Sequence, residues 1–282
     1  MNGSPDVDVR VHQVRPVAVP TTDPVEGLRA DGTTWRRAWS LPDRLVLDFD
    51  GIAALEASDD GTVTVDRPLT PEMEQHLLID HILPLLLARR GALVVHGAVL
   101  ELGGRAVVLI GASGTGKSTL SAHAWQQGWT LGGDDGAVLD VQEGAVSVTS
   151  THSTLRLTPE AAALVGIPAE EGAAAVGKRR LRTMRSGLPH RHGPAALHLV
   201  AEVQPAPVGS VADFTPLTGV AAHAALFGCT FHADLARGQL LRSVVNSLGT
   251  VVEAVSVGRL SVPRGRAGLA SAEAVLRREV ST

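Results

Sequence analysis

One stretch of nine residues constrains this chain more than any other. Residues 111 to 119 are Gly111, Ala112, Ser113, Gly114, Thr115, Gly116, Lys117, Ser118 and Thr119, which completes the pattern G-x-x-x-x-G-K-[ST]. An apolar run, Ala106 to Ile110, precedes it, and a helical stretch ending at Gly128 follows. The order predicted is therefore a buried strand, a tight loop and a helix. Glycines at 111, 114 and 116 let the backbone curl until successive N–H groups and the helix N-terminus face one point, which suits a polyphosphate. In such a loop Lys117 neutralises the β and γ oxygens and the Ser118 hydroxyl ligates Mg²⁺. A glycine-rich turn with a chance lysine is the bland alternative, and the flanking strand and helix argue against it.

Composition sharpens the point. Of 25 basic residues only Lys117 and Lys178 are lysine, so each asks for a reason. At 282 residues, 44% hydrophobic and 19% charged, with a net charge of -4, the chain can bury a sizeable core. Aromatic residues make up 3% and tyrosine is absent, so aliphatic side chains fill that core and stacking platforms for nucleic-acid bases are not expected. Cys229 is the single cysteine; it excludes an internal disulfide and fits a reducing cytoplasm. The opening MNGSPDVDVRVHQ lacks the basic flank and apolar stretch of a secretory signal. The densest apolar run, Ile82 to Ala88, is short and holds Pro84, whereas a membrane span takes about 20 apolar residues. A cytoplasmic protein with no membrane partner is the expectation.

Along the chain, two regions are predicted. In residues 1–91, period-two segments such as LVLDFD and TVTVD, separated by Gly and Asp turns, read as a small antiparallel β region. Thr70 and Pro71 then cap a helix that Pro84 kinks and Arg89, Arg90 and Gly91 close. In residues 92–282, LVVHGAVLEL and RAVVLI suit a hairpin leading into a buried central strand. Next come the loop and its helix, WTLGGDD, a hairpin VLDV-QEG-AVSV, a short helix capped by Thr158-Pro159-Glu160, and the strand LHLVAEV. Helices between about 217 and 248, the run VVEAVSV and a helix near 270–278 complete the chain. Residues 170–177 and 186–194 read as loops.

Three further features bear on chemistry. Asp134 and Asp135 end WTLGGDD, where a neighbouring strand delivers them to the same sheet edge as the phosphates. Adjacent side chains on extended backbone diverge, so one carboxylate can sit near Mg²⁺ while the other accepts a proton from a hydroxyl; the alternative is a solvated turn. His96 lies inside the apolar run LVVHGAV, either satisfied there by a backbone carbonyl or held by a carboxylate near the proton-transfer site. Lys178, Arg179, Arg180, Arg182, Arg185 and Arg191 lie between Glu171 and Glu202 with no acid among them. They make either a solvated loop, or a cationic lid over nucleotide phosphates or a dock for an acidic peptide. With no recognised binding module, nucleic acid is not the expected partner.

His96-Gly97, the GASGTGKST loop and Asp134-Asp135, in that order and spacing, resemble the catalytic core of HPr kinase/phosphorylase. More closely, the chain resembles the HPr-kinase-like serine kinases of peptide-modifying clusters of the lasso-peptide type, loosely over nearly its whole length through LRLTPEA, GKRRLR and LSVPRG. The resemblance implies an α/β fold: a P-loop kinase core of the HPr kinase and phosphoenolpyruvate carboxykinase type, with an N-terminal antiparallel β region. It also implies ATP and Mg²⁺ as cofactors, Lys117 on the phosphates, Ser118 and Asp135 on Mg²⁺, and Asp134 as base assisted by His96, with Lys178 beside the nucleotide. The sequence lacks that enzyme's glycine-rich signature segment and a clear counterpart of its additional metal-binding glutamate. The expected activity is a kinase acting on a hydroxyl, a serine of a ribosomally made peptide or a small protein. A free small-molecule hydroxyl and a nucleotide-binding or ATPase module that transfers nothing are the competing readings, and a homo-oligomer is left open.

Overall fold

The computed structural model describes residues 9–28, 32–168, 173–175, 178–182, 193–231, 233, 235–236 and 238–281, with the backbone alone at 173–175 and 178–182. Its internal contacts divide the chain into two units, residues 1–91 with 232–242, and residues 92–231 with 243–282.

The first unit is built on six strands: β1 (Arg10–Val14), β2 (Val25–Leu28), β3 (Thr34–Ser40), β4 (Arg44–Phe49), β5 (Ala53–Ser58) and β6 (Thr62–Val65). They lie in the order β1-β6-β5-β4-β3-β2. Consecutive strands from β2 to β6 pair antiparallel through short turns, but β1 pairs parallel with β6. That edge corrects the all-antiparallel expectation: a strand with no hairpin partner is free to join an open edge in either direction. Leu45, Leu47, Phe49, Leu55 and Val63 are buried in this unit's core together with Leu77, Ile82 and Leu86.

Helix α1 (Pro71–Leu77) starts at Thr70, whose side chain accepts from the Met73 N–H at 3.3 Å. The expected kink takes the form of a π turn over Leu78–Ile82 before α2 (Leu83–Arg89), in which the Leu83 N–H bonds the Leu78 carbonyl. Pro84 has no N–H to offer and its ring crowds the carbonyl four residues back, so the helix widens ahead of it.

The second unit carries β7 (Leu93–Val95), β8 (Gly97–Leu102), β9 (Arg105–Ile110), α3 (Lys117–Gln126), β10 (Thr130–Gly133), β11 (Ala137–Gln142), β12 (Ala145–Ser150), β13 (Thr154–Leu157), α4 (Pro159–Val165), β14 (Ala173–Ala175) and β15 (Lys178–Arg182). After these come β16 (Ala195–Ala206), β17 (Asp213–Pro216), α5 (Gly219–Phe227), α6 (Gly238–Ala254), β18 (Ser256–Pro263) and α7 (Arg266–Ser281). The first residues of α6 are counted with the other unit.

A nine-stranded sheet runs β10-β8-β9-β16-β12-β11-β7, with β18 beside β16 and β17 beyond it. The pairs β9–β16 and β16–β18 are parallel and the rest antiparallel. The fold is therefore mixed α/β. Alternate residues of β9 face opposite sides: Val107 and Leu109 join Leu120, Trp125 and Leu276 from α3 and α7, while Val108 and Ile110 join Leu226, Leu248 and Val251 from α5 and α6. The P-loop strand is thereby covered on both faces, and only its carboxyl end is left for chemistry.

Two expectations change here. VVEAV belongs to the end of α6, and the strand begins only at Ser256; a short apolar run does not by itself separate helix from strand. The basic segment opens as a strand, since Lys178–Arg182 pairs with both β13 and β14 in a small antiparallel sheet. Of the expected loops, 170–172, 176–177 and 186–192 lie outside the described residues, as do residues 1–8 of the polar N-terminus. Among the described residues no helix is long and apolar enough to cross a membrane.

Candidate active site

The nine-residue motif joins β9 to α3. Gly111, at φ +135°, sits so close to the next strand that a Cβ there would lie 2.9 Å from the Val203 carbonyl oxygen, so glycine is required on both counts. The loop tip, Ala112 to Gly114, is exposed. Gly116 precedes the first turn of α3, where the Leu120 N–H bonds its carbonyl at 2.9 Å. N–H groups of that first turn have no partner inside the helix and carry the positive end of its dipole, so they favour an anion. Lys117, 6% exposed, turns its ammonium back on the loop, donating to the Gly111 carbonyl at 2.8 Å and the Ala112 carbonyl at 3.1 Å. A buried ammonium must be bonded, and these carbonyls hold it at the centre of the curl.

Asp134 and Asp135 follow β10 in a tightly packed bend. At Gly133 a Cβ would come within 2.0 Å of the His152 carbonyl oxygen, so the chain at 150–154 can press against the bend only because glycine stands there. The Asp134 N–H then bonds the Thr154 carbonyl at 2.9 Å. Asp134 is 0% and Asp135 6% exposed, which removes the solvated-turn alternative. Asp135 has φ +67°, a left-handed conformation that Asp tolerates better than most residues. Its Oδ2 accepts from Arg156 Nε at 2.7 Å and also from Arg156 Nη2. Arg156, on β13, is itself 8% exposed.

His96 does not lie within a strand as expected; it falls at the break between β7 and β8. Its N–H bonds the Cys229 carbonyl at 2.6 Å, and Nδ1 donates to the Asp135 carbonyl at 3.1 Å. A carbonyl only accepts, so Nδ1 carries the proton and Nε2 keeps its lone pair in the neutral ring. Nε2 stands 4.0 Å from Asp135 Oδ1, and the Phe231 ring meets the imidazole edge-on at 5.8 Å. Burial lowers the His96 pKa and the Lys117 ammonium lowers it further, with Asp135 opposing both. His96 thus joins the loop lysine to the aspartate pair.

On the opposite side of the loop strand, Glu202 of β16 is in register with Ile110 and with Arg259 of β18. Arg259 Nε donates to Glu202 at 3.0 Å, and this pair is open to solvent, 44% and 21% exposed. Between the two sides lies Cys229. Burial pushes its thiol up, while the Gly111 N–H and the Lys117 charge pull it down and Glu202 adds to the rise.

No family model matches the chain, and no curated protein matches it. Among solved structures, it is similar to the Hpr(Ser) kinase/phosphatase from Coxiella burnetii. The two share 15% identity at a TM-score of 0.34, over 66% of this chain and 94% of that one. A likeness at that level carries no chemistry, which rests on the residues of the site.

Of the residues singled out in the sequence, the structure brings Lys117, His96 and Asp135 together, with Asp134 adjoining in the chain. Ser118 and Thr119 lie half-buried in the first turn of α3. Lys178 is placed only by its backbone, in the strand that also pairs with the Arg156 strand: Arg180 is opposite Arg156 and Arg182 opposite Thr154. Sequence reasoning missed Arg156 and Glu202. Arg156 had one signal, a charged residue between Leu155 and Leu157 twenty-one residues after Asp135, but alternation of that kind normally marks a solvent face.

Proposed function

We propose that this chain is an ATP- and Mg²⁺-dependent kinase that transfers the γ-phosphoryl group to a hydroxyl, a serine of a ribosomally made peptide or a small protein being the acceptor the resemblance favours. The observation that carries the reading is the convergence at His96: the GASGTGKST lysine acts on the ring from one side and Asp135 bonds it from the other. Phosphoryl transfer asks for a phosphate cradle with a fixed cation next to groups that orient and deprotonate a nucleophile, and these are the parts assembled.

In this reading the loop N–H groups from Gly111 to Thr119 cradle the phosphates, and Lys117 leaves its carbonyls for the β and γ oxygens. The Ser118 hydroxyl and the aspartate pair offer oxygen donors, the chemistry a hard cation takes when one or two carboxylates complete a shell of phosphate oxygens and water. Mg²⁺ held there supplies charge neutralisation at the bridging oxygens. Lys178 and its neighbouring arginines stay proposed as contacts for the acceptor or the nucleotide, because their strand is hydrogen-bonded to the one that braces the aspartates.

The test is incubation with γ-labelled ATP and serine peptides encoded by neighbouring genes, with small hydroxyl compounds alongside. Label on a peptide supports the full reading. Label only on a small compound moves the acceptor class, and free phosphate with no labelled acceptor leaves a nucleotide-hydrolysing module and overturns the kinase.

A further inference from the structure

Resting on that kinase reading, we propose that Arg156 is a positioning residue for the acceptor: by gripping Oδ2 of Asp135 it fixes Oδ1 opposite His96 Nε2, and the acceptor hydroxyl is held between those two atoms. The arrangement reverses the division of labour implied by the resemblance, placing Asp135 on the acceptor side and leaving Asp134 for the metal side.

Geometry argues for it in three steps. Arg156 reaches Asp135 with two nitrogens, Nε at 2.7 Å and Nη2, both on the same oxygen. A guanidinium fork held at nine-tenths burial is a rigid anchor, and with Oδ2 occupied only Oδ1 can turn to a third group. Oδ1 and Nε2 are 4.0 Å apart, too far to bond each other and the right separation for one oxygen to lie at about 2.6–3.2 Å from both. Finally, the Asp135 carbonyl fixes the Nδ1–H tautomer of His96, so Nε2 presents a lone pair to that gap, and the imidazole remains 34% exposed on that side chain. Asp134, by contrast, is 0% exposed and presents nothing to an acceptor arriving from solvent.

The step balances as follows. The acceptor O–H bond breaks with its proton passing to His96 Nε2, a new bond forms between the acceptor oxygen and the γ-phosphorus, and the bond from that phosphorus to the β–γ bridging oxygen breaks to release ADP.

Because removing Arg156 outright strands a buried carboxylate, the primary variant is Arg156→Lys, which keeps the charge and loses the two-nitrogen grip. With γ-labelled ATP and a peptide that the wild type labels, kcat is expected to fall by about tenfold or more, while ATP affinity measured by calorimetry stays within about twofold of the parent. Asp135→Asn is expected to do the same, and in that background Arg156→Lys causes no further loss, since both act through one carboxylate. Added guanidinium should restore part of the activity of folded Arg156→Ala. Parent-like kcat in Arg156→Lys, additive losses in the double variant, or loss of Mg²⁺-dependent ATP binding in Asp135→Asn with kcat spared at saturation each overturns the proposal and leaves the kinase reading standing. A wild type that labels no acceptor overturns both.

Discussion

Two carboxylate–guanidinium pairs flank the carboxyl end of the loop strand, and they are opposites. Asp135 and Arg156 are each under a tenth exposed and come from a bend and a strand twenty-one residues apart; Glu202 and Arg259 lie side by side on parallel strands with Arg259 nearly half in water. The ionic chemistry is the same and the physics is not. A buried pair has given up its hydration, so either partner left alone is an uncompensated charge in a poorly polarisable interior. At the exposed pair water replaces a lost partner at little cost. Burial, rather than the presence of a salt bridge, marks which side of the loop is built to hold a geometry.

Stability measurements break or sharpen that contrast. Arg156→Ala is expected to cost about 3–5 kcal/mol in denaturant unfolding. The neutral pair Arg156→Met with Asp135→Leu should recover much of that, because no charge is stranded. A loss below about 1 kcal/mol for the single variant would mean the pair is hydrated and the contrast false.

A smaller effect concerns pH. His96 has its pKa lowered below the ordinary 6.5, by burial first and Lys117 second. The folded chain therefore binds this proton less readily than the unfolded chain, so the stability tied to neutral His96 is complete above about 6.5 and is lost as pH falls from there through the folded value. Unfolding free energies compared between about pH 7.5 and about pH 5.5 should decline more steeply for the wild type than for His96→Gln. Equal slopes would place His96 in an environment like water. The smallest effect is expected at the exposed pair, where Arg259→Ala should change stability by no more than about 1 kcal/mol, and by less in high salt.

How much of this was legible in the sequence follows from range. The loop, the Gly103-Gly104 hairpin, the turn with Glu143 at φ +50° and Gly144 at φ +82°, and the Thr158 cap, whose side chain accepts from the Ala161 N–H at 3.2 Å, all depend on neighbours a few residues away, so local chemistry announces them. The aspartate bend was legible as residues but not as a buried element, because its burial depends on the passage of 150–154 against Gly133. Arg156 was hidden for the same reason: its partner is set by the fold, and a charge between two leucines reads as solvent-facing. The β18 strand, fused in sequence to the apolar end of α6, and the parallel β1 edge were likewise decided by pairing far along the chain.

The central claim is that GASGTGKST is a phosphate cradle serving transfer, and Lys117→Ala with γ-labelled ATP and a serine peptide that the wild type labels tests it most directly. Loss of the ammonium should cut label on the acceptor by more than about tenfold, equivalent to about 1.4 kcal/mol or more of transition-state stabilisation, in a protein that still unfolds cooperatively. Undiminished labelling by a folded Lys117→Ala protein would contradict the account, because the chemistry would then lie elsewhere.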